Sequence, residues 1–313
     1  MEVKKNHSIG IVISSKANYF YVDIDTSKLE NVSSNQHQKN KIIRILCTKR
    51  NKLNYFDLNV SVGDNVFVES IDWKGLKGVI SKVHKRKSWL KRPPVANVTN
   101  IVIILSASQP KFDIDQASKF LLTGEFTGLD VNLVLNKKDL ITVEELKYFI
   151  EKLKSWGYDP ISISTKTGEG IDFLKERLQS FKLSVLCGPS GVGKSSLINY
   201  LLLNNIQSTS TVSKKLKRGR HTTRHVELFS LGKGSLIADT PGFNRPEIEV
   251  EPKNLAYLFP ELRTQIIHNK CKFRDCLHRD EPGCVVSKDW ERYSNYRSFL
   301  DELIILHQSF QGG

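Results

Sequence analysis

Residues Gly188-Pro189-Ser190-Gly191-Val192-Gly193-Lys194-Ser195 fit G-x-x-x-x-G-K-[ST], and they stand between an apolar run at 183–187 and a helical pattern at 194–203. A strand that ends in such a turn and restarts as a helix commits this part of the chain to an α/β sheet with an anion site at its carboxyl edge. The glycines let backbone N–H groups wrap a phosphate, and the helix N-terminus adds its dipole. Lys194 can reach the β and γ oxygens and Ser195 can ligate Mg²⁺, with Ser196 completing the stretch. The loop alone does not choose between ATP and GTP, or between a kinase and a hydrolase.

The base has to be read elsewhere. Asn136-Lys137-Lys138-Asp139 follows an apolar run at 131–135, at the edge where ligands bind in such sheets. A carboxylate there can accept hydrogen bonds from guanine N1–H and the 2-amino group together, a donor pair that adenine lacks. Left unpaired opposite the wrong base, it is costly. Ser164-Thr165-Lys166, after a short run at 161–163, offers a further contact to the base.

Asp239-Thr240-Pro241-Gly242 follows the run 235–238, supplying a carboxylate for Mg²⁺ through water and the Gly242 N–H for the γ-phosphate. The basic stretch 214–224 holds His221-Thr222-Thr223 and reads as a switch loop, with Thr223 ahead of Thr222 as the magnesium ligand. Phe243 stands where many GTPases place a water-orienting Gln, so unaided hydrolysis should be slow; His221 is a candidate for that role, or simply an exposed switch residue. In most GTPases the phosphate loop comes first. Here N-K-x-D and S-T-K precede it, so the chain reads as circularly permuted, an arrangement that leaves the sheet intact because new termini can fall in exposed connections.

The flanks differ in character. Five alternating runs, at 9–14, 19–24, 41–48, 65–70 and 78–83, suggest a small barrel of the oligonucleotide-binding (OB) type over 1–86. The 313-residue chain has a formal net charge of +14, and residues 1–95 carry 18 Lys/Arg against 8 Asp/Glu, so most of the excess lies there. That balance points to a polyanionic partner, nucleic acid first. Residues 87–97 read as an extended basic linker with Trp89 able to stack on a base. The α/β pattern then spans 98–250. No apolar run reaches the roughly 18 residues of a membrane span, and a cytoplasmic protein is expected.

Residues 251–313 contain Cys271-x₄-Cys276-x-His278-x₅-Cys284 and a helical segment at 290–310. Three thiolates and an imidazole suit a closed tetrahedral Zn²⁺ site of structural type, with His268 a substitute ligand for His278. Lys270, Lys272, Arg274 and Arg279 around it could give a second nucleic-acid contact. Cys47 and Cys187, on strand-like runs, read as core thiols.

Taken together, NKKD at 136–139, GPSGVGKSSL at 188–197, GRHTTR at 219–224, DTPGF at 239–243 and the cysteine pattern resemble the circularly permuted small ribosomal subunit biogenesis GTPases, ribosome-dependent GTPase A. The resemblance implies an OB barrel, a permuted GTPase core with GTP or GDP and Mg²⁺, and a mainly helical domain with one structural Zn²⁺. It further implies a monomer that binds the 30S subunit and 16S rRNA late in maturation, near the decoding region, with hydrolysis stimulated by the subunit and used for release. Two alternatives stay open: a GTP-regulated RNA-binding scaffold with little hydrolysis, and a P-loop nucleotide kinase.

Overall fold

The structure is a computed structural model that describes residues 7–28, 42–50, 59–208, 226–239 and 248–311. It forms two compact units, Met1–Thr99 with Arg177–Val185 and Leu201–Phe243, and Asn100–Glu176 with Leu186–Tyr200 and Asn244–Gly313.

In the first unit, β1 (His7–Lys16), β2 (Tyr19–Asp25), β3 (Ile42–Lys49), β4 (Asn65–Asp72) and β5 (Lys77–Val83) close into a barrel. Neighbours pair antiparallel, except that β3 runs parallel to β5, and β4 returns to β1. This is the OB-like barrel expected from the alternation, its inward positions filled by Val12, Val22, Ile45, Val66, Val68 and Ile80. A register shift between Val12 and Ser14 bends β1, and beyond it Ser14 pairs antiparallel with Glu227.

Residues 87–97 depart from the extended linker expected. They form a hairpin of β6 (Trp89–Leu90) and β7 (Val95–Ala96), because Leu90, Val95 and Ala96 are apolar and buried. Val62 bridges to Val95, and the Asn97 amide donates to Gly63 O at 2.9 Å. Arg86 bonds the buried Asp64 at 2.7 Å and lies 4.2 Å from the centroid of Trp89, so one face of that indole is already covered. The same unit carries the hairpin β12 (Glu227–Gly232) and β13 (Ser235–Asp239); β13 runs parallel to β11 (Leu183–Cys187), with Leu183 opposite Leu236.

In the second unit, β8 (Asn100–Ser106), β9 (Asp130–Asn136) and β10 (Ile161–Ser162) are parallel. All seven residues of β8 are buried, the continuous apolar run of a strand covered on both faces. Helix α1 (Ile114–Phe126) joins β8 to β9 and begins at Asp113, whose carboxylate accepts from Gln116 N at 2.7 Å. Helix α2 (Val143–Ser155), capped by a Thr142/Glu145 box, joins β9 to β10. Helix α3 (Ile171–Gln179) follows β10, and α4 (Lys194–Ser208) follows the glycine-rich loop.

The C-terminal part is helical, as expected, and begins earlier than its pattern suggested. A 3₁₀ segment at Pro252–Leu258 and α5 (Pro260–His268) precede α6 (Tyr293–Gln311). Pro252 and Pro260 occupy the first turns of these segments, where the missing N–H costs nothing. Leu255, Phe259, Leu262, Tyr296 and Leu300 pack with Leu122 of α1 in one apolar core. Among the described residues no helix is long and apolar enough to cross a membrane.

Candidate nucleotide and metal sites

The glycine-rich loop leaves β11 at Cys187 and enters α4 at Lys194. Gly188 takes φ +144°, and a Cβ there would lie 2.2 Å from Ile104 O; Gly193 takes φ +100°, and its Cβ would meet the Asn136 amide at 2.4 Å. Only glycine allows both the turn and the close approach. Val192 is buried, whereas Ser190, Gly191, Ser195 and Ser196 are exposed or half-buried at the mouth of the loop. Lys194 Nζ donates to Gly188 O and Pro189 O, each at 2.7 Å, so the ammonium lies folded over the loop.

Asn136, at the end of β9, faces inward between the loops. It is fully buried and ties three loops together: its amide nitrogen donates to Val192 O at 2.8 Å and reaches Thr165 Oγ1 at 3.4 Å, while Oδ1 accepts from Lys137 N at 2.8 Å and Thr165 N at 3.1 Å. Lys137, at φ +65°, donates through Nζ to Gly191 O at 2.8 Å and to Gln109 O. Lys138 turns the other way and pairs with Glu169 at 2.6 Å. Asp139 is exposed at the sheet edge, and one carboxylate oxygen accepts from the buried Ser164 hydroxyl at 2.6 Å. Ser164 Oγ in turn accepts from Lys166 N at 3.3 Å and Thr167 N at 3.1 Å.

The fold therefore brings together Asn136, Lys137, Asp139, Ser164, Thr165, Lys166 and the loop 188–196 at one carboxyl edge. Gln109 and Glu169, which complete the hydrogen bonding, carried no sequence signal of their own beyond their nearness to glycine- and proline-marked turns. Asp239 is the last residue of β13, half-buried and opposite Glu227. His221, Thr222, Thr223, Gly242 and Phe243 lie outside the described residues.

Cys271, Cys276, His278 and Cys284 converge, with their ligand atoms all within 4.8 Å of one another. The three sulfurs stand 3.6, 3.6 and 3.5 Å from His278 Nδ1. A tetrahedral ion with bonds of about 2.3 Å to sulfur and about 2.05 Å to nitrogen would separate S and N by about 3.5 Å, so the donor set fits a metal. His268, exposed at the end of α5, is not part of the cluster. The loop is shaped by Glu281, whose carboxylate accepts from Leu277 N and Arg279 N at 2.8 Å each, and by Tyr296, whose hydroxyl donates to Leu277 O at 2.7 Å. Val285 N points at Cys271 Sγ at 3.5 Å. Burial pushes the Cys276 thiol up to about 12, raises Cys284, and lowers His278. A divalent cation reverses that cost by binding the thiolates. Cys47 and Cys187 are buried strand thiols, each pushed up to about 12 by burial.

Residues 83–249 match the RsgA GTPase family profile. Proteins curated as small ribosomal subunit biogenesis GTPase RsgA in two Prochlorococcus marinus strains are 55% identical over 310 residues (99% of this chain, 99% of the relative) and 54% identical over 307 residues (98% and 99%). Among solved structures, YjeQ from Thermotoga maritima gives a TM-score of 0.76 at 31% identity over 95% of this chain and 99% of its own. YloQ, described as a circularly permuted GTPase, gives 0.73 at 29% identity over 97% of each chain.

Proposed function

The chain belongs to the RsgA GTPase family, and from that premise we propose that it is a cytoplasmic, monomeric assembly factor that binds the 30S subunit through 16S rRNA late in its maturation. It is a hydrolase acting on GTP. In this reading the domains are an OB barrel (1–86), a basic linking segment (87–97), the permuted GTPase (98–250) and a zinc-binding helical domain (251–313).

Asp139 accepts the guanine N1–H and 2-amino group, and Lys137, Lys138, Ser164, Thr165 and Lys166 hold the base-side loops. The amides of 188–196 and the Lys194 ammonium, once drawn off the carbonyls it now covers, take the β and γ phosphates. Ser195, Thr223 and, through water, Asp239 would hold the Mg²⁺ that a triphosphate carries, and the Gly242 N–H would serve the γ-phosphate. Water attacks the γ-phosphorus in line and the bond to the β-phosphate oxygen breaks, giving GDP and phosphate; His221 orients that water. Cys271, Cys276, His278 and Cys284 hold one structural Zn²⁺.

The observation that carries the nucleotide reading is Asn136, fully buried and bonded to both Val192 and Thr165, because it makes the phosphate loop and the base-side loops one rigid receptor. The barrel's basic charge and the close full-length relatives support the ribosomal partner. The test is GTP turnover by the purified protein with and without 30S subunits, run beside naked RNA. Strong stimulation by 30S is expected, and turnover unchanged by 30S would remove the ribosomal assignment.

A further inference from the structure

Lys138, the variable residue of the N-K-x-D stretch, grips the neighbouring loop at both ends. Its backbone N–H donates to Ile163 O at 3.2 Å, where the loop leaves β10. Its side chain, only 13% exposed, reaches the Glu169 carboxylate at 2.6 Å, just before α3. Between these points the loop closes on itself: Ser164 N donates to Glu169 O at 3.0 Å, and Gly168 N donates to Ser164 O at 2.9 Å. Gly168, at φ +86°, rests on Tyr200 of α4, whose hydroxyl would stand 2.1 Å from a Cβ there. The loop thus has a floor in Tyr200 and a clasp in the Lys138–Glu169 pair.

What the clasp holds is Ser164, the hydrogen-bond donor to Asp139. A carboxylate that accepts two donors from one flat ring must keep both oxygens near the ring plane, and a modest rotation keeps one bond while losing the other. We propose that Glu169 is a positioning residue for base selectivity, acting through Lys138 and Ser164 to hold the Asp139 carboxylate in the plane that takes the guanine 2-amino group together with N1–H. This rests on the reading of Asp139 as the base acceptor. Glu169 itself touches no nucleotide in this arrangement, and its side chain is 70% exposed, so replacing it removes the clasp and little packing.

The experiment is competition of GTP, inosine triphosphate (which lacks the 2-amino group) and ATP against a fluorescent GDP on the full chain. The wild type is expected to bind GTP more tightly than inosine triphosphate; equal binding would overturn the Asp139 reading itself. Given that preference, Glu169→Gln is expected to lower the GTP-to-inosine ratio about three- to tenfold, the range of a partly exposed ion pair acting through one hydrogen bond. Glu169→Asp, which keeps the charge, is expected to retain most of the ratio. An unchanged ratio in Glu169→Gln, a loss shared equally by both nucleotides, or an equal fall in Glu169→Asp would overturn the Glu169 assignment while leaving Asp139 in place.

Discussion

The guanidinium of Arg292 is fully buried and donates through two nitrogens to Glu261, at 2.7 and 2.5 Å. It also lies 4.7 Å from the ring centroid of Trp156 and 4.9 Å from that of Phe259. Next to it, Glu291 accepts from the Trp156 indole N–H at 2.8 Å and from Lys152. One cation and one anion, adjacent in sequence, therefore lock the end of α2 to the helical C-terminal part. Removing one partner of a buried pair costs about 3–5 kcal/mol. Arg292→Ala is expected to lower stability by about that much, measured as the shift of the denaturant midpoint. Arg292→Lys should recover less than half, since an ammonium reproduces neither the paired bonds nor the stacking.

Asp139→Asn replaces an acceptor with a group that can donate, which suits xanthine in place of guanine. Nucleotide competition should show the preference shifting from GTP toward xanthosine triphosphate, with GTP affinity falling at least tenfold, about 1.4 kcal/mol or more. GTP affinity equal to that of the wild type would refute the role.

Metal analysis of protein purified without chelator should find about one zinc per chain. Stripping it, or replacing buried Cys276 with Ser, is expected to lower the melting temperature. The loop 271–284 has few apolar side chains to hold it, and without the ion it must bury thiols whose deprotonation burial opposes. A melting temperature unmoved by metal removal would show that the cluster holds itself together.

Asp72 closes the turn between β4 and β5 by accepting from Lys74 N and Gly75 N, each at 3.0 Å. The Gly75 amide foremost holds its pKa below the ordinary 3.8. The folded state thus favours the ionised form, and this contribution is present above about pH 4 and lost as the pH falls through the lowered value. Asp72→Asn is expected to lower the melting temperature at pH 7, with the gap closing below about pH 4. A gap that stays constant across that range would sink the explanation.

The barrel was legible because each strand buries alternate residues, so Val12, Val22 and Val66 mark their own faces. The phosphate loop was legible because only glycine serves at 188 and 193. Motif spacing singles out Asn136 but leaves open which loop its amide faces, because that depends on where Val192 and Thr165 come to lie once the sheet has formed. The hairpin at 89–96 hid behind its lysines and arginines, since charge set the expectation while Leu90, Val95 and Ala96 set the structure. Arg292 carried no signal, because a buried cation is recognisable only once its anion and its aromatic neighbours have been brought to it from 136 and 31 residues away in sequence, as Trp156 and Glu261 are.

Strand β1 closes the barrel and also meets the start of β12, Ser14 opposite Glu227. A hairpin such as β12–β13 would otherwise present open backbone groups on its outer strand to any other extended chain. The barrel therefore covers the start of that border as well as carrying charge. A version of the protein shortened to remove residues 7–86 would lose more than its most basic surface: it would also open the first position of β12 to other extended chains.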